Sequence, residues 1–305
     1  MRPSRGATAL SGVVPVDKPS GITSHDVVSA MRRATGERRI GHAGTLDPMA
    51  TGLLFLLVGR ATRLERYLVG HDKRYEARIV FGSTTDTLDA EGAVTQELPV
   101  PEAVFDPQAA RAILRGFLGR HEQLPPAYSA IKKDGVPSYR LARAGGTPDL
   151  APRTVEVSEA LLRATDPTGR TWDVTFTVSS GTYVRALARD IGLAVGTVAH
   201  LGALRRTRVG SFDLSSAHTM EEVLHLAGTA GFQKLTADPL TLLQMPEVAV
   251  DPALVRDGRP IALPSATLAP GVRVAVTGGG RLLAVYLSNG SRLTAESVLF
   301  PGIAR

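Results

Sequence analysis

Arg39-Ile40-Gly41-His42-Ala43-Gly44-Thr45-Leu46-Asp47-Pro48-Met49-Ala50-Thr51-Gly52 runs directly into Leu53-Leu54-Phe55-Leu56-Leu57-Val58-Gly59. The second stretch is a continuous apolar run between glycines, the pattern of a strand buried on both faces. The first has little periodicity, and its turn formers predict a long ordered loop over 38–52. Pro48 restricts the residue before it to extended backbone, which holds Asp47 in that loop. Taken alone, Asp47-Pro48 is an ordinary turn or helix start, so its surroundings must decide what the aspartate does.

Working outward, Gly12 to Val16 suits a short strand, and Asp17-Lys18-Pro19-Ser20-Gly21 is turn chemistry. Thr23 or Ser24 then caps a helix with Val27, Val28 and Met31 on one face. After Gly59 a short amphipathic helix carries Leu64, Tyr67 and Leu68. Tyr75 to Phe81 alternates as a strand, 93–107 is a proline-bearing connector, and Asp106-Pro107 opens a helix facing inward through Ala110, Ile113, Leu114 and Phe117. Residues 144–153 are a Gly/Pro-rich loop. Trp172, Val174, Phe176 and Val178 alternate with polar residues as a half-buried strand. Gly181 to Gly192 reads as a helix, and Thr219-Met220-Glu221-Glu222 is a capping box opening another. Strands and helices mix without a strict βαβ beat, so residues 12–245 are expected to form one mixed α/β domain behind a flexible leader, 1–11. From 246 short strand candidates (Val272 to Val276, Leu282 to Leu287), broken by Gly278-Gly279-Gly280 and Asn289-Gly290, suggest a small β module over 246–305.

Composition removes several classes of chemistry. There is no cysteine, hence no disulfide, thiolate nucleophile or cysteine-ligated metal. No phosphate-cradling Gly-x-x-x-x-Gly-Lys-Ser/Thr, dinucleotide fingerprint or Gly-x-Ser-x-Gly elbow is present. The seven histidines are scattered, so nothing asks for a metal, and no cofactor is expected. The formal net charge of +6 favours a polyanionic partner, nucleic acid first. No apolar run approaches the roughly 20 residues of a membrane span, and the expected location is the cytoplasm.

The loop containing Asp47 resembles the catalytic motif of the TruB family of tRNA pseudouridine synthases. Val16-Asp17-Lys18-Pro19-Ser20-Gly21 resembles that family's N-terminal motif. Lys73-Arg74-Tyr75 with Thr85-Asp86-Thr87 and Asp89 resembles its second, and Pro125-Pro126-Ala127-Tyr128-Ser129-Ala130 its third. Gly181-Thr182-Tyr183-Val184-Arg185 with Leu204-Arg205-Arg206 resembles its fourth. The order and spacing agree over residues 12–215; the C-terminal part more distantly resembles a PUA-type RNA-binding module.

That resemblance implies a pseudouridine synthase fold with a central mixed, largely antiparallel sheet. It also implies isomerisation of the T-loop uridine (position 55) of tRNA to pseudouridine. The reaction breaks N1–C1′, turns the base and joins C5 to C1′, so nothing is oxidised or imported and no cofactor is required. By resemblance Asp47 is the essential carboxylate, acting at C1′ as a nucleophile or removing a C2′ proton; both routes stay open. Arg185 is implied as its charge partner. Tyr75 is implied to stack on the uracil. His42, Tyr183, Leu204 and Lys18 are implied as substrate-binding residues, with the base flipped from its loop. The basic doublets Arg32-Arg33, Arg38-Arg39, Lys132-Lys133 and Arg205-Arg206 then become candidate phosphate contacts, and Lys132-Lys133 an element that closes over RNA. Rival readings are a pseudouridine synthase on another RNA and a non-catalytic chaperone that folds tRNA. A monomer without an obligatory protein partner is expected.

Overall fold

The computed structural model describes residues 8–129, 131–133, 136–143, 146, 149–262 and 268–305. Residues 1–7 of the expected leader, and residues 144, 145, 147 and 148 of the expected Gly/Pro loop, lie outside the described residues. The chain divides into two compact units, Met1–His71 with Gly210–Arg305, and Asp72–Val209. The main elements, in chain order, are β1 (Gly12–Lys18), α1 (Ser24–Thr35), β2 (Ile40–Ala43), β3 (Thr51–Val58), β4 (Lys73–Phe81), α2 (Pro107–Arg115), β5 (Gly119–Gln123), β6 (Arg153–Asp166), β7 (Thr171–Val178), α3 (Val184–Ala194), β8 (Ala199–Val209), β9 (His218–Thr219), α4 (Met220–Leu226), β10 (Glu247–Ala249), β11 (Ile261–Ala262), β12 (Arg273–Gly278), β13 (Arg281–Ser288) and β14 (Arg292–Ala304).

In the first unit β1 lies between β9, its parallel neighbour, and β3, its antiparallel one; β2 also pairs antiparallel with β3. The apolar run works as its pattern requires. Leu53 to Val58 are all at most 1% exposed, and each such side chain contributes roughly 1.5–3 kcal/mol on burial. The expected long loop is shorter than its composition suggested. Ile40 to Ala43 form β2, with Ile40 opposite Val58 and Ala43 opposite Phe55, because pairing with a buried neighbour outweighs two glycines' weak strand preference. The loop proper is 44–50, bracketed by Gly44 (φ 81°) and Gly52 (φ 102°), whose left-handed backbone only glycine adopts without strain. Thr23 caps α1, its side chain accepting from Asp26 N while the Asp26 carboxylate accepts from Thr23 N. Thr219 and Glu222 repeat that box at α4. Within the stretch read as a leader, Thr8 is tied to the buried Glu37 carboxylate, and the Ser11 hydroxyl accepts from Arg60 N.

The same unit holds a second sheet in the order β10-β12-β13-β14-β11, antiparallel except for β10 with β12. Its own apolar core contains Val255, Val274, Val276, Leu283, Tyr286 and Leu293. β12 turns into β13 through Gly279 (φ 59°) and Gly280 (φ 71°), the two left-handed residues of a tight hairpin.

The second unit is an antiparallel sheet in the order β8-β4-β7-β6-β5. Trp172 is fully buried, its indole N–H donating to Val104 O at 3.0 Å and its ring edge-on to Phe81 at 4.9 Å. Asp106 caps α2 by accepting from Ala109 N at 2.7 Å. The expected helix from Gly181 begins three residues later, at Val184. Gly181 sits at φ 87°, and Gln123 satisfies both the N–H (2.8 Å) and the carbonyl (3.2 Å) of the cap residue Tyr183. The 93–107 connector contains a strand, Val94–Glu97, paired with Ser83–Thr85. The largely antiparallel mixed architecture and the C-terminal β sheet agree with the sequence reading.

Candidate active site

The first unit brings Lys18, His42 and Asp47 together. Asp47 is half-buried in the loop between β2 and β3, and residues 18–24 hold the main chain of that loop on both sides of it. Before Asp47, the buried Ser24 hydroxyl accepts from Leu46 N at 2.9 Å and donates to Leu46 O at 3.1 Å. After it, Pro48 O accepts from Gly21 N at 2.9 Å and from the Lys18 ammonium at 3.1 Å. Ser20 donates to Met49 O at 3.1 Å. Leu46 anchors the loop by burying its side chain, and Ala50 N closes a turn onto Asp47 O at 3.1 Å. A carboxylate on so constrained a backbone has its direction set before any substrate arrives.

Lys18, expected as a substrate-binding residue, also contacts the Asp47 loop directly. It is fully buried at the end of β1, and besides Pro48 O it donates to Pro19 O (2.9 Å) and Ile22 O (2.6 Å). By its contact with Pro48 O, Lys18 holds the Asp47 loop through its main chain. His42 lies in β2 opposite Leu56, half-buried.

The second unit holds Tyr75, Tyr183, Arg185 and Leu204, and puts Tyr75 and Leu204 on one sheet face. Tyr75 in β4 pairs with Arg206 on one side and Phe176 on the other, and Leu204 pairs with Ala77 two residues along. By the alternation of strands these side chains share one face, and all are buried. Arg206 is 1% exposed, which overturns the reading of Arg205-Arg206 as two surface phosphate contacts. Lys73 lies on the same face. Burial first, then the Arg206 charge, lowers its ammonium to about 8, against the opposing pull of Asp72.

Arg185 stands in the first turn of α3, which packs on β8 and β4. It is 5% exposed and its guanidinium is fixed from two directions. One nitrogen donates to Thr87 O at 2.8 Å and Asp89 Oδ2 at 3.2 Å; another donates to Tyr128 O at 2.9 Å. Asp89 is itself buried and held by the Thr87 hydroxyl (2.6 Å) and Glu91 N (3.1 Å). Tyr183, half-buried, caps the same helix, with the Arg153 guanidinium 5.9 Å from its ring. Arg32 donates to Ile40 O at 2.7 Å and so steadies β2, while Arg33, Arg38 and Arg39 are exposed. Lys132–Lys133 pairs its backbone with Val136–Pro137; the side chains there lie outside the described residues.

The sequence did not single out Ser24, Asp89 as the partner of Arg185, or Gln123. Ser24 carried a signal, since two candidate caps stood side by side and a helix uses one. Among the described residues no cluster of three or more His, Cys, Asp or Glu is arranged to hold a metal ion.

Residues 32–184 match the model of the TruB family pseudouridylate synthase N-terminal domain, and residues 185–237 that of the tRNA pseudouridylate synthase B C-terminal domain. The tRNA pseudouridine synthase B of Mycobacteroides abscessus is 44% identical over 298 residues, covering 95% of this chain and 97% of that one. That of Mycobacterium leprae is 42% identical over 312 residues, covering 99% and 95%. Among solved structures, a Cbf5–Nop10–Gar1 complex contains a chain that superposes with a TM-score of 0.73 at 26% identity, covering 95% of this chain and 85% of that one.

Proposed function

The chain belongs to the TruB family of pseudouridylate synthases, and from that premise we infer that it is an isomerase converting a uridine of tRNA to pseudouridine, at the T-loop position 55. The observation that carries this reading is the Asp47 loop. Seven residues of irregular backbone are pinned at Leu46, Pro48 and Met49 by the 18–24 segment, and the residue so aimed is a carboxylate. A reaction that cleaves and remakes a bond at C1′ needs one carboxylate in a fixed position and nothing redox-active. Asp47 then attacks C1′ or removes the C2′ proton as N1–C1′ breaks, the base turns, C5 joins C1′ with release of Asp47 or return of the C2′ proton, and C5 gives up its proton while N1 takes one up. Tyr75 stacks on the flipped uracil, Arg185 supplies the compensating positive charge, and His42, Tyr183 and Leu204 border the nucleotide. Lys18 serves the site through the Asp47 loop. Flipping the base costs a few kcal/mol, which stacking and phosphate contacts offset.

We take the C-terminal sheet to be the PUA-type RNA-binding module, with the boundary near residue 245, and the enzyme to act as a monomer where tRNA is processed, in the cytoplasm. No helix among the described residues is long and apolar enough to cross a membrane. The test is incubation with unmodified tRNA transcript, followed by pseudouridine mapping through carbodiimide-stop primer extension. A single new stop at the T-loop uridine is expected. A stop elsewhere, or none, refutes the assignment of substrate position.

A further inference from the structure

Between β3 and β4 the chain reads Gly59-Arg60-Ala61-Thr62-Arg63-Leu64-Glu65-Arg66-Tyr67-Leu68. It forms a 3-10 helix over Gly59–Leu64 that passes into an α-turn, Glu65–Leu68. Ala61, Leu64 and Leu68 are buried, which turns the arginine at every third position toward the other side. All three arginines end on the main chain of β14. Arg60 Nε donates to Phe300 O at 2.9 Å, Arg63 donates to Val298 O, and Arg66 donates to Glu296 O at 3.2 Å.

The repeat distances explain why this pairing works. Three residues of 3-10 helix advance roughly 6 Å, and two residues of strand roughly 6.7 Å. From Arg60 to Arg63, both in the 3-10 helix, the spacing therefore keeps step with the carbonyls, running in the opposite direction; Arg66 lies in the α-turn and meets Glu296 O where the register of β14 against β13 shifts. Carbonyls two apart in a strand point to one edge. Among the described residues β11 pairs with β14 only at Arg292 and Leu293, so beyond that point the arginines stand where another strand would. Polar contacts continue around them. The Tyr67 hydroxyl lies 3.1 Å from Ser297 Oγ and 3.3 Å from Glu296 Oε2, the Arg66 guanidinium lies over the Tyr67 ring at 4.7 Å, and Glu296 is clamped by Arg273 at 2.8 Å. The Arg273 hydrogen bond, opposed by burial and aided by the charges of Arg273 and Arg66, holds the Glu296 carboxyl below its ordinary range. The C-terminal sheet packs its apolar side chains into its own core, so this seam is one of guanidinium groups on peptide carbonyls.

We propose that Arg60, Arg63 and Arg66 are positioning residues, a three-point staple that grips the free edge of β14 by its main chain and fixes the C-terminal sheet at one register. All three arginines reach peptide carbonyls, and Arg66 also meets the Glu296 carboxylate and the Ser297 hydroxyl, so the staple depends mainly on the main chain of β14, and it also denies that edge to any foreign strand. Its bearing on catalysis rests on the tRNA reading above: a substrate that touches both the Asp47 loop and the C-terminal sheet needs the distance between them fixed.

The test uses the full chain. Hydrogen exchange by mass spectrometry, without RNA, compares wild type with Arg63→Met and Arg60→Met/Arg63→Met. Val298→Thr serves as a control that keeps the carbonyl. Losing a hydrogen bond from a charged donor shifts an equilibrium by about tenfold or more, so exchange over 292–301 should quicken by about that factor per arginine removed, with β1 to β3 unchanged. The control should match wild type. A role confined to RNA phosphates would leave this exchange unmoved, and unmoved exchange in both arginine variants overturns the proposal. If the double variant does not fold, the single one carries the test. With whole tRNA, KM should rise by about tenfold while kcat stays within about twofold. Faster exchange with an unmoved KM overturns the positioning role. Failure of the tRNA reading itself is separate, because it shows as wild type that modifies no tRNA.

Discussion

Replacing Ser24 with alanine separates the loop that carries Asp47 from the helix that neighbours it. The hydroxyl is 2% exposed at residue level and serves both backbone groups of Leu46, at 2.9 and 3.1 Å. The helix cap is untouched, because Thr23 provides it. Alanine therefore removes two hydrogen bonds and leaves the Leu46 N–H buried without that partner. Stranding one buried donor costs about 1–3 kcal/mol, and losing the second bond about 1 kcal/mol more, so the loop should lose roughly 2–4 kcal/mol. For a chain of this size, that lowers the melting temperature by about 3–6 °C. The lost order falls on the residue next to Asp47. The single-turnover rate of pseudouridine formation, followed by tritium release from C5-labelled tRNA, should drop by about tenfold. Affinity for tRNA, measured by filter binding, should stay within about twofold, since Ser24 is buried away from solvent. Wild-type rate and wild-type melting in Ser24→Ala would refute the argument that this hydroxyl holds the loop.

Three further outcomes follow from the same geometry. Asp89→Asn removes the charge beside the buried Arg185 guanidinium (3.2 Å, both side chains at most 6% exposed). Breaking such a pair costs about 3–5 kcal/mol, and the single-turnover rate should fall by at least about a hundredfold while tRNA still binds; a rate near wild type would contradict the assigned role of Asp89 in holding Arg185. Lys73 is lowered from 10.5 to about 8 by burial and then by Arg206, so between those values the unfolded chain binds more protons than the native one and stability rises with pH. The cost of the buried charge is full below pH 8 and gone above 10.5, up to about 3 kcal/mol. Urea unfolding at several pH values should show this rise in wild type and a flatter profile in Lys73→Met; parallel profiles would show that Lys73 is not its source. Binding of tRNA should weaken steeply between about 50 and 200 mM salt, whereas an affinity indifferent to salt would count against phosphate contacts.

The features legible in the sequence are those written in local chemistry. Leu53 to Val58 announce a buried strand because no other environment suits six apolar residues in a row, and Thr219 with Glu222 announces a helix start because the two side chains satisfy each other's backbone. The features that were hidden depend on partners far along the chain. Ile40 to Ala43 became a strand only because β3 lies beside it. β8 carries Gly202, Arg205, Arg206 and Arg208 and looks like a solvated segment, yet pairing with β4 buries Leu204 and Arg206 side by side. The long strands β6 and β14 were equally hidden behind polar residues. Asp47, Tyr75 and Arg185 are the residues that resemblance to the family's motifs proposes for the chemistry. The contacts that hold them could not be read that way: the Lys18 ammonium reaches Pro48 O from 30 residues away, and Asp89 meets Arg185 across a separation of 96 residues.

The account stands or falls on Asp47. Purified wild type and Asp47→Asn, which keeps the size and the extended backbone of the residue while removing its charge, should be incubated with the same unmodified tRNA transcript, with pseudouridine mapped at the T-loop uridine and tRNA affinity measured in parallel. The expected result is complete conversion by wild type, no detectable product from Asp47→Asn, and affinities within about threefold of each other (under ~1 kcal/mol). Equal product from both proteins would contradict the central claim, and so would wild type that binds the tRNA and leaves its T-loop uridine unchanged.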